Sequence, residues 1–279
     1  MKNFEINLKN VYPHLPADVR LTMYILDNPD EYATDFHRPM VVVYPGGGYA
    51  MTSRREAEPI AMAFAAQGYD TAILWYNCHA QGIKHPQPLL EGCAAVAYCR
   101  DHAVEWGADP AQLYICGFSA GGHLAASVGT LWKLPVVSET LGVESRHARP
   151  DGMILCYPVI TSDPSFAHNG SIQNLLADSY GDPALMEQVS LEKQVAEDTP
   201  RTFLWSTFDD GCVPVKNTLV MANALREKNV PFELHIFPYG WHGLSLATKQ
   251  VYKKGTAIES HHPCTEWIAL ASRFIGENF

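Results

Sequence analysis

The sequence predicts an α/β protein built on one doubly wound, mostly parallel sheet flanked by helices. Three observations carry that expectation. Strand-like and helix-like stretches alternate along most of the chain, the order that generates βαβ units. Several strand-like runs, Met40 to Tyr44 and Thr71 to Tyr76 among them, are almost continuously apolar, as strands covered on both faces must be. Finally, the apolar run Leu113 to Cys116 drives straight into Gly117-Phe118-Ser119-Ala120-Gly121, and a small-residue helix with Leu124, Ala125, Ala126 and Val128 follows.

Phe4 to Leu8 and Val19 to Leu26 alternate apolar and polar residues, which reads as a pair of antiparallel strands with one wet face. Asn28 to Arg38 is expected to be a loop, and Met40 to Tyr44 the first buried strand. Pro59 to Gln67 forms a helix that ends at Gly68, and Thr71 to Tyr76 the next strand. Pro88 to Trp106 carries a broad apolar stripe at helical spacing and stops at Gly107. After the Ser119 turn the helix reaches about Leu131; 133–150 reads as a polar loop and Gly152 to Tyr157 as a strand. Between 161 and 200 the alternation breaks into a mixture of Ser, Asp, Asn, Gly and Pro with short helical pieces. This insertion is expected to form a lid or cap. Thr202 to Thr207, Val215 to Lys228 and Phe232 to Phe237 restore the strand–helix–strand order, and a last helix spans Pro263 to Phe279. The whole chain, 1–279, reads as one domain carrying that insertion.

The chemistry concentrates at strand ends. Gly117 to Gly121 fits the G-x-S-x-G nucleophile elbow, in which a very tight strand-to-helix turn holds the serine in a strained conformation. The elbow exposes the Ser119 hydroxyl and leaves the Ala120 N–H at a helix N-terminus, where an oxyanion is stabilised. Pro45-Gly46-Gly47-Gly48-Tyr49 follows a buried strand, so Gly47 or Gly48 is expected to supply a second oxyanion N–H. Arg55 and Glu56 would either pin that loop through a salt bridge or serve only the start of the next helix. An activated serine needs a base with an orienting acid, in the chain order Ser, acid, His. His235 lies inside a strand; His261 and His262 head a helix. His242, in Pro238-Tyr239-Gly240-Trp241-His242-Gly243, follows the last strand and is expected to be the base. The acid should follow the preceding strand, where Asp209 and Asp210 both stand; only one of two adjacent side chains can face His242. Tyr49, Phe118 and Trp241 are expected to wall a substrate pocket, with core packing an equal reading for Phe118, while His123 reads as a packing or hydrogen-bonding residue of the elbow helix.

Composition narrows the function classes. The chain has 279 residues, 47% hydrophobic and 18% charged, with a formal net charge of −10. That balance speaks against nucleic acid or an anionic membrane surface as a partner, since both require a basic face. No apolar stretch approaches a membrane span. The seven cysteines include no CxxC pair, the first ten residues lack an apolar signal core, and a cytoplasmic location is expected. No His/Cys cluster has metal-ligand spacing, so no metal and no cofactor are expected.

Pro45 to Tyr49, Ser53-Arg54-Arg55-Glu56, Gly117 to His123, Asp210-Gly211-Cys212-Val213-Pro214 and Phe237 to Leu244 together resemble the serine esterases of the α/β-hydrolase superfamily, and within it the bacterial acetyl esterase/lipase group with its sugar-acetyl and xylan-acetyl esterases. The resemblance implies an α/β-hydrolase fold, a small-molecule ester substrate, and Asp210 rather than Asp209 as the acid. Pro45 replaces the histidine that many esterases carry before the three glycines, and Trp241 occupies a position that is more often small or polar. Two other readings compete. A prolyl-oligopeptidase-type peptidase shares the elbow and would prefer aminoacyl-arylamides to acetates. A hydrolase-fold binding protein would fail to label at Ser119 with a fluorophosphonate.

Overall fold

The computed structural model describes residues 1–29, 31, 37–252 and 262–276. Most of the expected loop at 28–38, the candidate His261 and the end of the last expected helix lie outside the described residues. Eight strands form one sheet in the order β1-β2-β4-β3-β5-β6-β7-β8. The strands are β1 (Lys2–Asn7), β2 (Arg20–Ile25), β3 (Arg38–Tyr44), β4 (Asp70–Trp75), β5 (Ala108–Phe118), β6 (Gly152–Cys156), β7 (Arg201–Thr207) and β8 (Phe232–Phe237). β2 pairs antiparallel with β1 and with β4; all other neighbours run parallel.

Side-chain alternation along the strands builds two cores. Met40, Val42, Leu113, Ile115, Met153, Leu155 and Leu204 face one side, where α2 (Gln87–Trp106), α3 (Ala120–Leu131), α4 (Pro135–Leu141) and α7 (Lys216–Glu227) pack. Val41, Val43, Tyr114, Cys116, Phe118, Ile154, Phe203 and Trp205 face the other, covered by α1 (Glu58–Ala65) and α8 (Trp267–Gly276). Parallel strands all end at the same edge, so β3, β5, β7 and β8 deliver the glycine loop, Ser119, the aspartate pair and the His242 loop to one place.

The structure corrects two local expectations. The stretch 133–150 contains α4, because Val137 and Leu141, one turn apart, are both buried among residues that are polar, exposed or only partly buried. β2 is buried on both faces: Thr22 is satisfied there by donating to Glu5 (3.1 Å) and accepting from Trp75 Nε1 (2.9 Å). The insertion is ordered, with α5 (Asn169–Leu176) and α6 (Pro183–Gln188), and Ile172, Leu175, Leu176, Val189, Leu191 and Val195 join the core on the α2 side. Cys78, Cys93, Cys99, Cys116, Cys156 and Cys264 are buried and unbridged, whereas Cys212 is exposed. No helix among the described residues is long and apolar enough to cross a membrane.

Candidate active site

β5 ends in a turn that only small residues at two positions allow. A Cβ on Gly117 would lie 2.1 Å from the Gly121 carbonyl oxygen, and one on Gly121 would lie 2.1 Å from that of Tyr44. Between them Ser119 takes φ 53°, ψ −116°, a region that side-chain-bearing residues avoid. Its backbone is fixed from both sides: its N–H donates to Cys156 O (3.0 Å), and its carbonyl accepts from His123 N and Val159 N, both at 3.0 Å. The side chain is thereby held at the sheet edge.

The loop after β8 brings His242 Nε2 to 2.7 Å from Ser119 Oγ, and His242 Nδ1 to 2.7 Å from Asp210 Oδ2. Asp210 is buried, and its other oxygen accepts from the N–H groups of Cys212 (2.8 Å) and Val213 (2.9 Å), which fix its rotamer. Asp209 points elsewhere, accepting from Gly240 N at 2.7 Å. The two aspartates divide the work: one faces the imidazole and the other closes the turn that carries it.

The glycine loop abuts the elbow; a Cβ on Gly46 would stand 3.2 Å from Ser119 Cβ. Gly47 has φ +134° and Gly48 φ +65°, and a Cβ on Gly47 would collide with Met51 O at 2.0 Å. Among the described residues, none of the hydrogen bonds uses the N–H of Gly47, Gly48 or Ala120. Ala120 opens α3, which adds the positive end of a helix.

Two of the expected pocket walls lie behind the site instead. Phe118 is 0% exposed, because strand alternation places it with Tyr114 and Cys116 on the α1/α8 face, against Tyr157 and Trp267. Tyr49 is 1% exposed; its hydroxyl donates to His123 Nδ1 at 2.9 Å, and its ring packs edge-on to Tyr76 and His123. Trp241 is 38% exposed beside His242 and leans on Tyr252. His123 has the packing role expected of it: its Nε2–H donates to Val189 O at 2.9 Å, and burial pushes its pKa down to about 4.

Four residues of the site are ones that sequence reasoning misses or reads otherwise. Glu56, buried, accepts from Gly46 N (3.0 Å) and from Tyr157 OH (2.7 Å). It pins the glycine loop directly, while Arg55 bonds to Gly243 O (2.9 Å) and to Val251 O rather than pairing with Glu56. Tyr157 packs its ring edge against His242, with centroids 5.1 Å apart. From the insertion, Asn174 Nδ2 donates to Gly48 O (2.8 Å), and His168 heads α5 with Nδ1 2.8 Å from Ser171 Oγ. Burial, and then the charge on His242, hold the His168 imidazole below the ordinary histidine range. The Ser-Arg-Arg-Glu stretch is the one signal in sequence for this group. Nothing in the irregular run 161–200 singles out His168 or Asn174.

The BD-FAE family pattern matches residues 26–225. The chain is 39% identical over 220 residues to endo-1,4-beta-xylanase B of Butyrivibrio fibrisolvens, covering 78% of this chain and 34% of that protein. It is 30% identical over 252 residues to an acetylxylan esterase of Xylanibacter ruminicola, covering 88% and 47%. It thus spans only about a third to a half of the length of these curated relatives. Among solved structures, the acetyl ester-xyloside bifunctional hydrolase of Caldicellulosiruptor lactoaceticus superposes with a TM-score of 0.79 at 37% identity, over 97% of this chain and 94% of that one. With the elbow, the strand order and this match over most of its length, the chain belongs to the BD-FAE family and has the α/β-hydrolase fold.

Proposed function

We propose that this chain is a serine carboxylesterase that hydrolyses short acyl esters, acetyl esters of sugars foremost. The observation that carries the reading is the unbroken hydrogen-bonded chain Ser119 Oγ–His242 Nε2 and His242 Nδ1–Asp210 Oδ2, each link 2.7 Å. The relatives named for acetylxylan and acetyl-ester hydrolysis support the acyl group and the sugar.

The geometry suits acyl transfer. Ser119 Oγ attacks the ester carbonyl carbon while His242 Nε2 accepts the hydroxyl proton. Asp210 holds the tautomer with Nδ1–H and stabilises the imidazolium. The carbonyl oxygen becomes an oxyanion that accepts from Ala120 N–H and from Gly47 or Gly48 N–H; removing one such donor typically costs on the order of 3 kcal/mol. The tetrahedral intermediate collapses, the ester C–O bond breaks, and the imidazolium returns its proton to the departing alcohol. Water, deprotonated by His242, then attacks the acyl-enzyme, releasing the carboxylic acid and restoring Ser119. No step calls on a metal or a cofactor.

Residues 161–200 act as a cap of this single domain, with His168 at its inner end. The expected location is cytoplasmic, in keeping with six buried, unbridged cysteines.

The test is hydrolysis of para-nitrophenyl acetate and of acetylated xylosides. Ser119→Ala should lower kcat by on the order of 10⁴-fold or more with the fold intact by circular dichroism. Wild-type turnover in that variant would sink the reading. A preference for aminoacyl-arylamides over acetates would move the chain to the peptidases.

A further inference from the structure

Against the backbone that carries the base lies a second buried carboxylate. Glu56 Oε2 accepts the Gly46 N–H, and Oε1 accepts the Tyr157 hydroxyl proton. Tyr157 oxygen in turn accepts the N–H of Ser245, three residues beyond His242, at 2.9 Å. The Ser245 hydroxyl donates to Arg55 O (2.6 Å), and Ser245 O accepts from Trp267 Nε1 (2.9 Å). Glu56 thus stands on both halves of the site: one oxygen fixes the Pro45–Gly46 peptide at the root of the glycine loop, the other fixes the segment carrying the base. A Cβ on Gly243 would come to 3.7 Å from Glu56 Oε1, so the carboxylate lies close to the backbone next to His242.

We propose that Glu56 is a positioning residue and a second anion for His242, holding the glycine loop and the base loop in register through Gly46 and Tyr157 while stabilising the imidazolium that forms as Ser119 attacks. This rests on His242 being the general base. Both Glu56 oxygens act as acceptors, the pattern an ionised carboxylate requires. Burial is the largest influence and raises the Glu56 carboxyl above the ordinary carboxylate range, while the Tyr157 hydroxyl, the His242 charge, the Gly46 N–H and Arg55 favour its ionised form. The groups facing His242 are Asp210 from the loop after β7, Glu56 and Arg55 from the segment before α1, Tyr157 from the end of β6, and His168 from the insertion. Of these Asp210 and Glu56 are acidic, and the Arg55 guanidinium is engaged by the carbonyls of Gly243 and Val251.

An anion beside an imidazole favours its protonated form, so removing the anion moves protonation to lower pH. In Glu56→Gln, kcat on para-nitrophenyl acetate should fall about tenfold with KM within about twofold, and the acid limb of the kcat/KM profile should move down by about half a pH unit. Glu56→Asp keeps the charge and should keep the acid limb of the wild type. The ring resonances of His242, followed by NMR in a Ser119→Ala background, should titrate at lower pH when Glu56→Gln is added. That readout needs no turnover, so it stands apart from failure of the esterase reading. An unchanged acid limb and an unchanged His242 titration in Glu56→Gln overturn the proposal. Should that variant not fold, Tyr157→Phe decides: kcat lowered several-fold at unchanged KM supports it, and wild-type kcat overturns it.

Discussion

The loops at the sheet edge and the insertion at 161–200 meet at the same site by opposite means. In the edge loops almost every residue type is dictated by a local necessity. Gly117 and Gly121 leave room for carbonyl oxygens 2.1 Å from where a Cβ would be, and Asp209 and Asp210 each satisfy backbone N–H groups in the turns they serve. The insertion has local caps of its own, Asp163 accepting from Ser165 N and Asp182 from Ala184 N and Leu185 N, but none of them reaches the site. It is held by long-range contacts, residue 161 to the Asn217 side chain, Val189 to His123 and Asn174 to Gly48, and tied within itself by Ser162 to Ser190. Chemistry placed on short-range turns is constrained by sequence. Chemistry placed on a docked insertion is constrained by whatever it docks onto.

The aspartate pair offers the sharpest break within the edge loops. Asp210→Asn keeps the size and the bonds to Cys212 and Val213 N–H possible but presents the wrong partner to His242 Nδ1–H, and kcat should fall by on the order of 10⁴-fold. Asp209→Asn should cost less than about tenfold, because it only weakens the bond from Gly240 N to an exposed side chain. Steady-state kinetics on an aryl acetate compares them directly. Equal losses would mean that the turn, not the facing carboxylate, sets the base.

His123 joins the two regions, since Tyr49 belongs to the glycine loop and Val189 to the insertion. Both bonds need one neutral tautomer, with Nε2 protonated and Nδ1 accepting. Burial lowers the pKa from 6.5 to about 4 in the fold, so between those values the unfolded chain binds a proton that the folded chain does not. The contribution is complete above pH 6.5 and is lost as pH falls toward 4. About 2 kcal/mol of stability should disappear between about pH 7 and about pH 5 on this account. Urea unfolding at the two pH values, wild type against His123→Gln, isolates it: the variant starts less stable and loses less. An identical pH slope in both proteins would show that the tie between the regions does not titrate.

How much the sequence discloses follows the same division. The parallel strands are legible because burial on both faces demands continuous apolar runs. Ser119, His242 and the pair 209–210 are legible because each follows a core strand, and all such strands end at one edge. Phe118 falls behind the site rather than in its wall, although its alternation with Tyr114 and Cys116 already puts it on the α1/α8 face. Glu56 has two sequence readings, a loop pin and a helix-start charge; the bond from Gly46 N decides for the pin, and its second partner, Tyr157, over 100 residues away in the chain, has no sequence signal. His168 caps its own helix through Ser171, which says nothing of His242, and Asn174 has no local pattern at all, because its partner Gly48 comes from tertiary docking.

The bond from Asn174 Nδ2 to Gly48 O tests whether the insertion is a fixed cap or a lid that opens in each cycle. Ile172, Leu175 and Leu176 on the same helix are buried in the main core, which argues for a fixed cap. A fixed cap uses the bond to hold the Gly48 peptide, so Asn174→Ala should loosen an oxyanion donor: kcat on para-nitrophenyl acetate falls about three- to fivefold, and stability by about 1 kcal/mol or less, since Gly48 is half-buried and water can replace the amide. A moving lid must break the bond at every turnover. If opening limits the rate, the same substitution raises kcat instead. The sign of the change in kcat, measured on one small ester in one variant, separates the two.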